Sequence, residues 1–416
     1  MPKSTRNKTS GLLRIVQERE LLKKEIDDEE KRKRPIPDLP KDCVSCILLR
    51  LPVNDLQRSS CVCKPWNNMI NTSMFIEYHL CRSEYVTIFL SSHKDEDQNN
   101  LYPPSVRKEN ATTFSVEKDL LKSVPVFCQP SVNERSKSYI HFLEIHDGRS
   151  NMREYNISCL GKIFASCNGL ILLENKLKEG GLIVLNPVTR KLNALPVGTI
   201  CPRHAESNGF VLDPSSNEYK VIHMFRDESG YISCEILSLR DRKWKEVNGP
   251  SLGLITWFGY KPVSAVGALN WLPSIDHNDY VVSMEIENAK FKTLSLPKSG
   301  RIHDGIVEME GFLCFVAHEP MNRIVIWVLK SLSEVNWMKQ QSIEVGCIMD
   351  MVPVSGSRFG NHMIFRRDED GSLYVYDFNL KVMSFVEMEN GVIPLSGSYV
   401  SHVNSLVSWP FERSGK

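Results

Sequence analysis

The stretch Cys234–Val247, CEILSLRDRKWKEV, alternates apolar and polar residues, breaks at a charged turn, and resumes on an aromatic residue, Trp244. That is the pattern of a β-hairpin, two half-buried strands around a polar turn. It recurs at 282–297 (VSMEIENAKFKTLSLP), 324–340 (IVIWVLKSLSEVNWMKQ) and 373–388 (LYVYDFNLKVMSFVEM). The aromatics that open the second strands, Trp244, Phe291, Trp337 and Phe385, follow one another at 47, 46 and 48 residues. An earlier copy at 181–196, GLIVLNPVTRKLNALP, has Leu192 in the aromatic's place. A period of this length, carried by strands, is the mark of propeller blades.

Between the hairpins lie apolar runs led by glycine at Gly169, Gly209, Gly267 and Gly311. A continuous apolar run suits a strand covered on both faces, and glycine there lets backbones approach around a narrow channel, so these runs read as the inner strands. Five units are clear. A sixth forms from Tyr85–Leu90 with Ser138–Ile145, with the C-terminal strand available to close the ring. A β-sandwich built of the same hairpins also satisfies the spacing, because periodicity does not fix closure.

The segment 36–80 has a different texture. Leu39, Cys43, Cys46, Ile47, Leu48, Leu51, Leu56, Cys61, Val62, Trp66, Met69 and Ile70 recur at helical spacing. Pro40 suits a first helical turn, Pro52 ends the first helix, and Asn54 suits the cap of a second. Three short helices in about 45 residues make a small core, and such a unit usually completes itself against a partner. Upstream, residues 11–34 read as a charged helix ending in Lys31-Arg32-Lys33-Arg34, a run that suits a helix C-terminus or a nuclear import signal. Ser91–Asn100 reads as an exposed loop.

The stretch 36–80, IPDLPKDCVSCILLRLPVNDLQRSSCVCKPWNNMINTSMFIEYHL, resembles an F-box in its two Leu-Pro pairs and its Cys-Val-Cys-Lys-x-Trp core. The chain beyond residue 80 resembles the F-box-associated domain of a large plant family, of kelch-like propeller type. The resemblance rests on Ser166-Cys167-Asn168-Gly169-Leu170, Asn186-Pro187-Val188-Thr189-Arg190 with Leu195-Pro196, and Asp213-Pro214 with Tyr219-Lys220-Val221. Val211-Leu212 and Asn270 depart from its usual pattern. The resemblance implies docking to a Skp-type adaptor and, through it, to a cullin and a RING protein, with no chemistry performed by the receptor itself. It implies a substrate-recognition subunit of a Skp–cullin–F-box ubiquitin ligase. An F-box and propeller scaffold acting outside a ligase is the alternative. The adaptor contact is expected at Leu39, Pro40, Ile47, Leu48, Leu51, Pro52, Leu56, Lys64 and Trp66, an apolar surface of a kind seldom left bare, with Lys64 and Trp66 as a charged contact and an amphipathic anchor. Cys61, Val62 and Ile70 are expected to fill the small domain's own core.

The expected fold class is therefore α+β multidomain, a small helical F-box followed by a mainly-β, propeller-like domain of about six blades. The expected division is 1–35 (charged helix or extension), 36–80 (F-box), 81–160 (connector and first β elements) and 161–410 (recognition domain). The substrate, a protein, is expected at loops between blades, where propellers bind.

Charge and composition narrow the field. With 51 Lys and Arg against 50 Asp and Glu, the net charge of +1 steers toward neither nucleic acid nor an anionic membrane. No apolar stretch reaches the length of a membrane span or a signal peptide, so the expected setting is intracellular, nucleus and/or cytoplasm. The 12 Cys then read as reduced thiols used mostly as small buried hydrophobes, and the sequons at Asn7, Asn71, Asn110 and Asn156 as chance matches. Gly249-Pro250-Ser251-Leu252-Gly253 fits a nucleophile elbow in letters only, since it joins two β units and not a strand to a helix. Cys43-x-x-Cys46 with Cys61-x-Cys63 offers four thiols, but on helical pattern positions and with one short spacing, which favours burial over zinc. No catalytic residue, cofactor or metal site is expected.

Overall fold

The computed structural model describes residues 39–93, 137–146, 149–156, 160–201, 206–250, 261–273, 279–298, 301–320, 322–346, 350–388 and 399–408. The charged segment 11–34 and its basic run, Asn7, Asn110 and Ser251 lie outside them. The chain divides into two compact units, 1–52 and 53–416.

Described in the first unit is α1 (Lys41–Leu48), opened by Pro40 as its N-cap. The second unit begins with α2 (Val53–Ser59), α3 (Lys64–Ile70) and α4 (Ser73–Arg82). From residue 39 to Arg82 the described helices thus number four, where three were expected for the segment 36–80. Asn54 lies within the first turn of α2 and does not cap it. The side chain that caps is Thr72, whose hydroxyl accepts from the Phe75 N–H at 3.3 Å ahead of α4. Val53, Leu56, Ile70, Phe75 and Leu80 are buried. Cys61 and Val62, expected beside Ile70 in this core, are exposed, Val62 at 66%. They fall between α2 and α3, where the helical period that placed them inside is interrupted.

The rest is a six-bladed propeller of four-stranded antiparallel sheets. The first blade takes its inner strand from the chain's end: β24 (Val400–His402) pairs with β1 (Val86–His93), followed by β2 (Lys137–His146) and β3 (Arg149–Asn156). Ser91–His93, expected in a loop, belong to β1. The second blade is β4 (Leu160–Cys167), β5 (Leu170–Asn175), β6 (Leu182–Asn186) and β7 (Lys191–Ala194), and the third is β8 (Glu206–Asp213), β9 (Glu218–Arg226), β10 (Ile232–Ser238) and β11 (Lys243–Val247). The fourth is β12 (Val263–Ala265), β13 (Ala268–Trp271), β14 (Tyr280–Glu285) and β15 (Phe291–Ser295). The fifth is β16 (Gly305–Met309), β17 (Phe312–Glu319), β18 (Arg323–Leu329) and β19 (Trp337–Glu344). The sixth is β20 (Met351–Gly356), β21 (His362–Arg367), β22 (Leu373–Asp377) and β23 (Val382–Phe385).

Blade packing explains the continuous apolar runs. In β5, Leu170 and Leu172 face a core shared with the third blade, while Ile171 and Leu173 face one shared with the first. In β17, Leu313, Phe315 and Ala317 face the fourth blade, and Cys314 and Val316 the sixth. Period-2 alternation is intact, but both faces are dry, so it does not show as a polar alternation. Each neighbouring pair of blades shares one such cluster, the pair joining the sixth blade to the first included.

Two details of the sequence reading need correction. Gly169, Gly267 and Gly311 do not line inner strands. Each follows a residue of positive φ (Asn168 51°, Val266 50°, Glu310 56°) and is itself at 88°, 76° and 81°, so the pairs form tight two-residue turns from a blade's first strand to its second. The runs they lead are second strands, and of the four glycines only Gly209 lies inside an inner strand, β8. The outer-strand aromatic also shifts once. Leu192, Trp244, Phe291 and Trp337 sit opposite Leu185, Leu237, Met284 and Leu329 and pack back on the preceding blade. In the sixth blade that place belongs to Met383, opposite Tyr376, whereas Phe385 lies two residues on and is 56% exposed.

The motif residues close the ring. Asn186, fully buried, donates to the carbonyls of Ser405 (3.1 Å) and Val407 (2.7 Å) and accepts from the N–H groups of Val188 and Thr189. Ser166 Oγ meets His402 Nδ1 at 2.7 Å, and Ser405 Oγ donates to the Asn168 carbonyl at 2.6 Å. The second blade therefore grips the segment that completes the first.

Candidate functional site: helical surface and propeller channel

The residues expected to meet an adaptor divide by exposure. Leu39 is 56% and Ile47 51% exposed, Pro40, Pro52 and Lys64 are exposed, and Leu51 and Trp66 are half-buried. Leu48 and Leu56 are instead internal, at 1% and 0%. The correction follows from helix geometry: consecutive residues point about 100° apart, so Ile47 and Leu48 cannot share one face. Met74 and Tyr78 of α4, which sequence reasoning did not single out, are 63% and 58% exposed. Four residues apart, they share one face of that helix.

A group of contacts ties α4 to the propeller. Arg358, in the turn after β20, donates through Nη1 to the carbonyls of Leu80 (2.6 Å) and Ser83 (3.3 Å). Its backbone N–H donates to Glu84 Oε1 at 2.7 Å, Ser357 Oγ donates to Glu84 Oε2 at 3.1 Å, and the guanidinium lies over the Tyr85 ring. Nothing in the local sequence pairs residues this far apart; only ring closure does.

The inner strands enclose a channel of about 350 Å³, walled by apolar side chains such as Phe164 and Phe210 and by Lys261, Glu308, Arg358 and His402. Burial pushes Glu308, His402 and Lys261 toward their neutral forms. Glu308 is raised, His402 is lowered to about 3, and Lys261, also beside Lys162, is well below the usual lysine range. The Lys261 stem is partly exposed, but its Nζ is buried and has no hydrogen-bond partner among the described residues.

The described cysteines are free thiols, and only Cys234 and Cys314 are buried; Cys43, Cys46, Cys61 and Cys81 are exposed, against the expectation of burial. Cys43, Cys46 and Cys81 lie on helix faces turned to solvent, and Cys61 lies between α2 and α3. Among the described residues, the one group of three or more metal-type donors lying within 4.8 Å of one another is Cys201, Glu206 and His223. No motif spacing signals it, because the register of β8 and β9 assembles it. No described helix is long and apolar enough to cross a membrane.

Residues 36–78 match the profile of the F-box domain, and residues 111–404 that of the F-box associated beta propeller domain. The F-box protein CPR1 of Arabidopsis thaliana is 24% identical over 413 residues, covering 89% of this chain and 88% of its own length. An F-box/kelch-repeat protein of the same plant is 25% identical over 327 residues, covering 76% and 82%. A third relative there, a putative F-box protein, is 26% identical over 345 residues, covering 79% and 67%.

Proposed function

The chain belongs to the F-box-associated β-propeller family, and from that premise we propose that it is the substrate-recognition subunit of a Skp–cullin–F-box ubiquitin ligase. The F-box docks a Skp-type adaptor, the adaptor brings the cullin and RING protein, and the propeller holds a protein substrate for ubiquitination. The receptor positions and does not catalyse.

The observation that carries this reading is the apolar surface at the start of the F-box. Leu39 and Ile47 leave more than half their surface in water although the segment has interior positions filled by Leu48 and Leu56. Fully burying a leucine or isoleucine is worth about 1.5–3 kcal/mol, so a partner that covers both gains binding energy with no rearrangement of the buried residues. Leu39, Pro40, Ile47, Leu51, Pro52, Lys64 and Trp66 form the proposed contact, and Leu48 and Leu56, both buried, stand outside it. On the propeller, the substrate is assigned to loops between blades, which tolerate variation while the sheets hold them in place.

The test is a pull-down of the full-length protein with purified adaptor beside a variant lacking residues 36–80, with bound proteins identified by mass spectrometry. Adaptor and cullin recovered only when 36–80 is present support the reading. A folded protein that recovers neither overturns it in favour of a scaffold outside the ligase.

A further inference from the structure

We propose a zinc-class metal site at the junction of the second and third blades, with Cys201 Sγ, Glu206 Oε2 and His223 Nε2 as protein ligands. The three atoms are mutually close: His223 Nε2 to Glu206 Oε2 is 3.1 Å, Cys201 Sγ to His223 Nε2 is 3.7 Å, and Cys201 Sγ to Glu206 Oε2 is 3.9 Å. Zinc takes nitrogen and oxygen at about 2.0–2.1 Å and sulfur at about 2.3 Å, which in a tetrahedron sets donors about 3.3–3.6 Å apart. The observed triangle brackets that spacing, so one ion can reach all three donors with small rotamer changes.

The surroundings are built as metal sites are. His223 Nδ1 pairs with Glu235 Oε1 at 2.8 Å, and Glu235 is itself held by the Thr199 N–H (2.8 Å) and hydroxyl (3.1 Å). A carboxylate on the far ring nitrogen fixes the tautomer and aims the other nitrogen at an ion. Asn208, His223 and Glu235 are cross-strand neighbours on β8, β9 and β10. Asn208 is buried, its amide nitrogen lies 3.5 Å from Glu206 Oε2, and its Oδ1 has no hydrogen-bond partner among the described residues. That orphaned oxygen, or a water, suits the fourth position. The chemistry is a mixed sulfur, nitrogen and carboxylate set, which selects zinc over calcium or magnesium. The ion would pin the Leu195–Cys201 stretch, the described part of the connection from one blade to the next.

The experiment strips the full-length protein with chelator, reloads it with zinc, and measures bound metal by elemental analysis and, after cobalt(II) substitution, the thiolate-to-cobalt absorption. One equivalent is expected in the wild type. It is lost in Cys201→Ser and His223→Gln, weakened about 10–100-fold in Glu235→Gln, and retained in Cys43→Ser with Cys46→Ser. Should His223→Gln fail to fold, Cys201→Ser, at a half-exposed position, still decides the matter. Absence of stoichiometric metal, or metal that survives Cys201→Ser, overturns the site.

Discussion

Arg358 donates a hydrogen bond from Nη1 to the Leu80 carbonyl at 2.6 Å, joining the last turn of α4 to the first turn of the sixth blade. That carbonyl, at the helix C-terminus, also accepts from the Ser83 N–H at 3.2 Å, and a cation there meets the negative end of the helix dipole. Glu84 also accepts from the Arg358 N–H and from the Ser357 hydroxyl, so helix and propeller are joined by several hydrogen bonds at once. Arg358→Ala should cost about 1.5–3 kcal/mol of local stability, the range for hydrogen bonds to charged groups. Limited proteolysis should show faster cleavage between residues 80 and 86, while the propeller's own melting changes little. Equal cleavage rates would show that the contact does not set the junction.

Exposure separates binding from folding in the F-box. Ile47→Asp should weaken adaptor binding by about 2 kcal/mol or more, at least about 30-fold in Kd, and leave the thermal midpoint unchanged. Leu48→Asp should destabilise the protein, because it places a charge at a position 1% exposed. Interferometry against purified adaptor, read beside thermal melts, distinguishes the two. If both variants lose only binding, Leu48 is a contact residue after all.

Some of this was legible in the chain and some was not. Hairpins with polar turns, whose aromatics recur at 47, 46 and 48 residues, identify blades, because each blade repeats the same four-strand path. Which strand is innermost was not legible: Gly169-Leu170 and its counterparts are apolar on both faces, a property shared by every middle strand pressed between two blades. Ile47 and Leu48 look alike in composition and differ only in where α1 begins. Cys201, Glu206 and His223 carry no spacing signal, since the register of β8 and β9 sets Glu206 near His223. The Arg358 junction is likewise a product of closure, linking residues 278 apart.

His402 makes ring closure sensitive to acid. Its folded pKa is lowered to about 3, first of all by burial, against about 6.5 in the unfolded chain. The unfolded state then binds the proton more readily, so this residue's contribution is present above about pH 6.5 and declines as pH falls toward 3, by up to about 1.4 kcal/mol per unit. Urea midpoints measured across that range should drop with acid in the wild type and drop less in His402→Gln. A variant with the same slope would place the acid sensitivity elsewhere.

The register of the sixth blade gives the last test. Met383 faces the buried cluster between the fifth and sixth blades, while Phe385, two residues along the outer strand, is exposed and touches Tyr374 edge-on at 5.5 Å. Truncating a buried methionine costs about 2–5 kcal/mol, and Met383, being only partly buried, should fall at the lower end on Met383→Ala. Phe385→Ala removes an exposed cross-strand pair worth about 0.2–1 kcal/mol. Chemical denaturation should therefore rank Met383→Ala as the more damaging, although phenylalanine is the larger side chain. The reverse order would mean that Phe385, as the aromatic rhythm of the sequence suggests, is the residue that packs on the preceding blade.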